Sequence, residues 1–336
     1  MMACVRAISL VIGRAWYESR MADFDDVLER VHRLYTEREY QAGRSLVGSS
    51  FESFSEHRAT LIYWRACFDA LLGEPGKALE DLQEGLASGL WWAEPRLRED
   101  PDLETVRRLR GFEAVAVESG RRWREAMSGP PEPPTVIPAT AAHRATLVVL
   151  QGGSGSVDHV ARQWHEAANL GCTVVVPGRG QPSTPDGDHA NWFDRERTDE
   201  VLRTALEGVE LETVLIAGHS AGGREALRIG LTGSPIRPAG LLLFGPAPLS
   251  RATDMQAAAE RGLRVWTFVG SEDWLVDEVL VTDRTLRDAG IDVREHRAPG
   301  VGHVVPDHLS DLLPAALAFV LDDASLVPGG GVEPPS

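Results

Sequence analysis

Five prolines, Pro130, Pro131, Pro133, Pro134 and Pro138, crowd into residues 128–138 together with Gly129. Proline has no amide hydrogen and a fixed φ, so this run can neither continue a helix nor enter a sheet interior. The hydrophobic period differs on its two sides. At 336 residues the chain also exceeds the roughly 250 to 300 that one core fills, so two domains are expected. We place a helical domain at 21–127, a Pro-rich linker at 128–140 and an α/β domain at 141–323. Residues 1–20 are expected to be a poorly ordered extension and 324–336 a disordered Pro- and Gly-rich tail.

Before the linker, Phe24, Val27, Leu28, Val31, Leu34 and Tyr35 recur at the three-and-four spacing of one buried helix face. A second helix is expected at Tyr40 to Leu46. Two further apolar helices, Ala59 to Leu72 and Lys77 to Leu86, are joined by Gly73-Glu74-Pro75-Gly76, which predicts a helical hairpin. Within it Trp64, Ala66, Gly73, Ala78 and Leu82 resemble the tetratricopeptide pattern, in which small residues let paired helices approach closely. An unrelated helical bundle is the other reading.

After the linker, short apolar runs appear at Leu147 to Leu150, Thr173 to Val176, Val214 to Ala217, Leu241 to Phe244 and Val265 to Val269, with a weaker one at Ile291 to His296. Runs without alternation are buried on both faces, as in a parallel sheet. Amphipathic helices are expected between and after them, at Val160 to Leu170, Thr198 to Leu206, Arg224 to Leu231, Val276 to Ala289 and Leu309 to Leu321. Alternating strand and helix implies right-handed crossovers and a doubly wound, mostly parallel sheet.

Acidic residues outnumber basic ones by 50 to 34, a net charge of -16 that repels polyanions, so nucleic-acid partners are disfavoured. No run approaches the roughly 18 apolar residues of a membrane span. The apolar stretch Ala7 to Ile12 after Arg6 is ended by Gly13 and Arg14, too early for a signal peptide. Cys4, Cys67 and Cys172 are odd in number and widely spaced, fitting neither a disulfide framework nor a zinc site, and a cytoplasmic location is expected.

The run ending at Ala217 leads into Gly218-His219-Ser220-Ala221-Gly222-Gly223 and then a helix, the context that a G-x-S-x-G nucleophile elbow requires. Glycines flank the serine because the turn is too tight for side chains. A serine hydroxyl needs a base to take its proton and a carboxylate to orient that base. Asp273, in the turn after Val265 to Val269, and His303, in the turn after the last strand, follow Ser220 in the order acid, then histidine. Asp277 and Glu272 are rival acids, and His308, His296 and His219 rival bases. The oxyanion donors are expected to be the Ala221 amide and one from Gln151-Gly152-Gly153-Ser154-Gly155, most simply Gly153. That loop lacks the third glycine and the lysine of a nucleotide cradle. Asp186-Gly187-Asp188-His189 lacks the remaining ligands of a calcium loop and reads as solvated.

Residues 145–322 resemble the α/β-hydrolase fold, and within it the phospholipase/carboxylesterase group that includes acyl-protein thioesterases. The echoes are Asn191-Trp192-Phe193-Asp194, the segment Gly270-Ser271-Glu272-Asp273-Trp274-Leu275-Val276, and Gly302-His303. The resemblance implies a serine esterase or thioesterase working without metal or organic cofactor, with Ser220, Asp273 and His303 as the triad. Gln151 stands where the family usually has histidine, and Ala221 where glutamine often follows the nucleophile. The expected partner is a small-molecule ester or thioester. A peptide or protein bound by the helical domain of a catalytically idle scaffold, and a peptidase or carbon-carbon bond hydrolase on the same triad, are the alternatives. With only some 20 residues, Gly245 to Arg264, between two strands, no cap domain is expected there, and the helical half with Trp64, Trp91 and Trp92 is the candidate to select the acyl group.

Overall fold

The computed structural model describes residues 24, 26–28, 30–153, 157–187, 190–249 and 255–326. The expected N-terminal extension, residues 327–336, Cys4, Ser154, Gly155, Asp188 and His189 lie outside the described residues; the start of the tail expected to be disordered from 324 is instead a short 3-10 helix, Ala324–Leu326, with Leu326 buried against the sheet's core. The chain divides into two compact units, residues 1–126 with 184–188, and residues 127–183 with 189–336. Among the described residues no helix is long and apolar enough to cross a membrane.

The first unit is helical: α1 (30–36), α2 (Tyr40–Ser50), α3 (Arg58–Leu71), α4 (Pro75–Ala87), α5 (Glu94–Glu99), α6 (Glu104–Arg107) and α7 (Phe112–Ala126). The hairpin expected from the Gly-Glu-Pro-Gly turn is formed by α3 and α4, with Gly73 at a φ of 79° and Pro75 opening α4, where its missing N–H has no helical partner to lose. Two cores close this unit. Phe24, Val31, Leu61, Trp64 and Phe68 build one; Tyr63, Leu82, Trp92, Leu97 and Phe112 build the other. Trp92 is fully buried and its indole N–H donates to the Ala59 carbonyl at 2.9 Å. Trp64 and Trp92 are therefore packed into the unit's own cores.

The segment 184–188 corrects a second expectation. Rather than a solvated loop, Asp186 accepts the Thr60 amide at 3.0 Å, satisfying a donor in the first turn of α3, and the Thr184 and Thr60 hydroxyls lie 3.4 Å apart in the interior.

The second unit is a seven-stranded sheet ordered β1-β3-β2-β6-β7-β8-β9. Its strands are β1 (Thr135–Ile137), β2 (Ala145–Leu150), β3 (Cys172–Val176), β6 (Val214–His219), β7 (Gly240–Phe244), β8 (Arg264–Gly270) and β9 (Asp292–Ala298). All pairings are parallel except β1 with β3. Every residue of β2 and β7 is buried, as continuous apolar runs demand. Along β2, Leu147 and Val149 pack with α8 (Val157–Trp164) and α13 (Leu309–Leu321), while Val148 and Leu150 pack with α9 (Arg195–Ala205) and α10 (Ala221–Thr232). Helices thus cover both faces, and the strand order reverses direction from β2 to β6, the switch point where open α/β sheets bind ligands.

The segment expected to act purely as linker instead supplies β1, which pairs antiparallel with β3 through Thr135 and Val176. This is the edge, the one place where a proline-flanked strand costs no ladder bond. A two-stranded hairpin, β4 (Gln181–Pro182) with β5 (Ala190–Asn191), also forms where no strand was expected.

Asp283, on α12 (Val276–Asp288), is 1% exposed; its Oδ1 accepts the Thr267 hydroxyl at 3.0 Å, while Oδ2 has no partner among the described residues. Burial pushes this carboxyl up to about 6. A carboxyl raised in the folded state above its unfolded value, about 3.9, contributes stability below that value and loses it as pH rises through the folded one. Replacing Asp283 by Asn should flatten the pH dependence of stability between pH 4 and 7 and raise stability at pH 7 by roughly 2 kcal/mol. Urea melts across that range are the measurement; an unchanged slope would contradict it.

Candidate active site

The site is built at the carboxyl ends of β2, β6, β7, β8 and β9. Strand β6 ends at His219 and α10 begins at Ala221, leaving Ser220 alone between them at φ 52° and ψ −116°. A non-glycine residue at positive φ is strained by roughly 1 to 3 kcal/mol and persists only where its surroundings over-determine it. Here the Ser220 amide donates to the Phe244 carbonyl at 3.0 Å, and the Ser220 carbonyl accepts from Arg224 and Ala247 at 2.9 and 3.0 Å. The turn also demands bare backbone beside it. A Cβ on Gly218 would collide with the backbone of Gly222, and one on Gly222 with the Leu150 and Gln151 carbonyls.

Asp273 and His303 come together from the turns after β8 and β9. His303 Nδ1 lies 2.9 Å from both Asp273 oxygens, and their side chains are 6% and 2% exposed. The Leu275 amide donates to Asp273 Oδ1 at 2.8 Å, holding the carboxylate in place. With Nδ1–H given to the carboxylate, the imidazole carries its lone pair on Nε2, which is buried and has no hydrogen-bond partner among the described residues. Gly245, at φ 45°, passes beneath this pair so closely that a Cβ would stand 2.6 Å from Asp273 Oδ2 and 3.0 Å from His303 Nδ1. Two further bonds clamp the turns together: Ser271 N–H to the Ala298 carbonyl and Glu272 N–H to the Val301 carbonyl, each 2.9 Å.

The rivals are placed elsewhere. Asp277 and Glu272 are exposed, and His308 is exposed at the start of α13. His296 stacks on Phe268, centroids 5.5 Å apart, on edge strand β9. His219 is half-buried against His303, with ring centroids 4.6 Å apart. Desolvation, followed by the neighbouring His303, lowers its pKa to about 3, so it is neutral. Trp274 was not singled out as a site residue by sequence reasoning: 43% exposed, its ring lies 4.0 Å from that of His303. Only its position after the acid could have flagged it.

The β2 end runs alongside the elbow. Gln151 is 2% exposed, and its carbonyl accepts the Trp192 indole N–H at 3.1 Å. Neither the Ala221 amide, at the amino end of α10, nor that of Gly153, in the turn after β2, is engaged in a turn or loop hydrogen bond among the described residues. A cysteine and two carboxylates do cluster in the first unit, where Cys67, Asp100 and Asp102 have ligand atoms within 4.8 Å of one another. Tyr63 and Tyr35 donate to those carboxylates at 2.6 and 3.0 Å.

Residues 23–127 match the family model of the A/B hydrolase-like N-terminal domain. The matched segment precedes the mostly parallel seven-stranded sheet with helices on both faces. Among solved structures, the chain is similar to an uncharacterized protein from Bacillus cereus at 18% identity, with 88% of this chain and 98% of that one covered and a TM-score of 0.48. It is similar to the Bacillus cereus carboxylesterase at 15% identity, covering 55% of this chain and 93% of that one with a TM-score of 0.44. It is also similar to Zea mays acyl-protein thioesterase 2 at 18% identity, covering 55% and 98%, again with a TM-score of 0.44. No curated protein matches the chain.

Proposed function

We propose that the chain is a serine hydrolase that cleaves a carboxylic ester or thioester of a small molecule through an acyl-enzyme on Ser220. The observation that carries this reading is the buried contact of His303 Nδ1 with both oxygens of Asp273, at 2.9 Å, in a sheet whose β6 ends at a serine strained to φ 52°. Strain of this kind is how a nucleophile elbow presents its hydroxyl clear of the backbone.

The chemistry follows from the groups. Ser220 Oγ attacks the acyl carbon as His303 Nε2 takes its proton, and Asp273 stabilises the imidazolium that forms. The negative charge that develops on the carbonyl oxygen is met by the Ala221 and Gly153 amides, which need no reorganisation to receive it. Collapse expels the alcohol or thiol, protonated by Nε2. Water then attacks the acyl-enzyme with Nε2 as base, releasing the acid and restoring the Ser220 hydroxyl.

The test is labelling with a fluorophosphonate, together with turnover of short p-nitrophenyl esters and thioesters. We expect stoichiometric modification at Ser220, mapped by mass spectrometry, and measurable ester turnover. A folded protein that takes no label and turns over none of these substrates is an idle scaffold, and the proposal fails. Labelling accompanied by turnover of peptides alone would move the reaction to a peptidase.

A further inference from the structure

Trp274 directly follows Asp273 in the chain, and its ring lies 4.0 Å, centroid to centroid, from the imidazole of His303. At 43% exposure, much of it remains in solvent. Val304, the residue after His303, is 49% exposed. Each of the two turns that bear the acid and the base thus presents a large apolar side chain to water, which the hydrophobic effect does not reward in folding. The same turns are short of positive charge. The chain has no lysine or arginine from Gly270 to Asp283, and none after Arg297. Glu272, Asp277 and Asp307, by contrast, are exposed there.

Which part of a substrate meets this surface follows from the second task of the base. As the acyl-enzyme forms, His303 Nε2 gives the proton to the departing oxygen or sulfur, which must come within hydrogen-bond reach of it. The group carried on that atom therefore stands beside the imidazole. With the two rings 4.0 Å apart, no imidazole atom is farther from the indole centre than one ring radius more, Nε2 included. Nε2 is also shielded from water and has no hydrogen-bond partner among the described residues, so a leaving group is desolvated as it arrives. That cost falls on polar alcohols and spares apolar ones. An anionic leaving group meets the exposed carboxylates of both turns, with no lysine or arginine there to offset them.

We infer that Trp274 is a specificity-determining residue for the leaving group, and that the ester or thioester cleaved carries an uncharged, apolar alcohol or thiol seated against the indole. The inference rests on the reading of Ser220 and His303 as nucleophile and base. It concerns the part of the substrate that departs, not the acyl chain, and Trp274 takes no part in moving the proton.

Acetate esters hold the acyl group fixed while the alcohol varies. Benzyl and methyl acetate release alcohols of similar acidity, so the ratio of their kcat/KM values reports contact with the leaving group. The unsubstituted protein should prefer benzyl acetate by roughly tenfold or more. It should handle 4-(acetoxymethyl)benzoate, the same ring bearing a carboxylate, at least roughly fivefold less efficiently than benzyl acetate. Trp274→Ala should bring the benzyl-to-methyl ratio down roughly tenfold, chiefly through a higher KM for benzyl acetate, and Trp274→Phe should restore most of it. The ratio of p-nitrophenyl hexanoate to p-nitrophenyl acetate varies the acyl chain alone and should move by less than about threefold in Trp274→Ala. The inference is overturned if the benzyl-to-methyl ratio survives Trp274→Ala while kcat falls on both esters, the pattern of a ring that only shields Asp273 and His303. It is equally overturned if the hexanoate ratio falls instead, or if the benzoate is the better substrate. Should Trp274→Ala not fold, Trp274→Gln takes its place with the same expected fall in the benzyl-to-methyl ratio. If the unsubstituted protein takes no label at Ser220 and cleaves no ester, this inference and the proposed function fall together. A labelled, active protein that is indifferent to its alcohol sinks the inference alone.

Discussion

Ser220→Ala is expected to lower kcat on any ester substrate by roughly ten-thousandfold or more and to abolish fluorophosphonate labelling, because the members of such a triad act as a unit. Steady-state turnover with p-nitrophenyl esters, and intact-mass measurement after labelling, check the two halves of that statement. A residual rate within tenfold of the unsubstituted protein would mean that the nucleophile lies elsewhere. A second comparison isolates the backbone. Ser220→Gly loses the same hydroxyl but accepts the φ of 52° without a Cβ penalty. It should therefore be more stable than Ser220→Ala by about 1 kcal/mol, while equally inactive. Chemical denaturation of the two variants measures the difference, and equal stabilities would mean that the elbow stores no strain at this residue.

The second large effect is expected at Gly270, the last residue of β8. A Cβ there would collide with the Val301 and Gly302 carbonyls, in the turn that carries His303. These obstacles are backbone, so they cannot rotate away as a side chain could. Gly270→Ala should cost about 2 kcal/mol of stability, as overpacking does. It should also lower kcat by roughly a hundredfold, since the turn with the base must retreat from the turn with the acid. Gly302→Ala is the matched control: it lies beside His303, yet a Cβ on it meets nothing within 4 Å. Its stability should stay within about 0.5 kcal/mol of the unsubstituted protein. If both substitutions behaved alike, the close approach of the two turns would have no bearing on activity.

Strands β2, β3, β6, β7 and β8 were legible in the sequence because each is an unbroken apolar run, which only burial on both faces explains. The elbow was legible because glycine at 218 and 222 announces a turn that excludes side chains. Asp273 and His303 could be chosen by their place after strands, and the structure brings them together. Less legible were the elements whose reason lies far away in the chain. β1 sits among prolines and exists only because β3 offers it an edge; β4 and β5 are two residues each, below any periodicity. Gly245 looks like an ordinary turn glycine until Asp273 and His303 are placed over it. Asp283 reads as a surface charge on an amphipathic helix, and its burial against Thr267 follows from tertiary packing alone. The same holds for His219, whose ring packs 4.6 Å, centroid to centroid, from that of a residue more than eighty positions onward.

The five-residue excursion at 184–188 bears on how this protein could be taken apart or inherited. Because Asp186 satisfies an amide at the amino end of α3, and Thr184 joins Thr60 in the interior, the helical unit is not encoded by one continuous stretch. A gene fragment ending at the prolines would yield helices lacking part of their own amino-terminal cap. Modular shuffling, by an engineer or by recombination, would therefore have to move this excursion with its distant host or supply a substitute for that carboxylate.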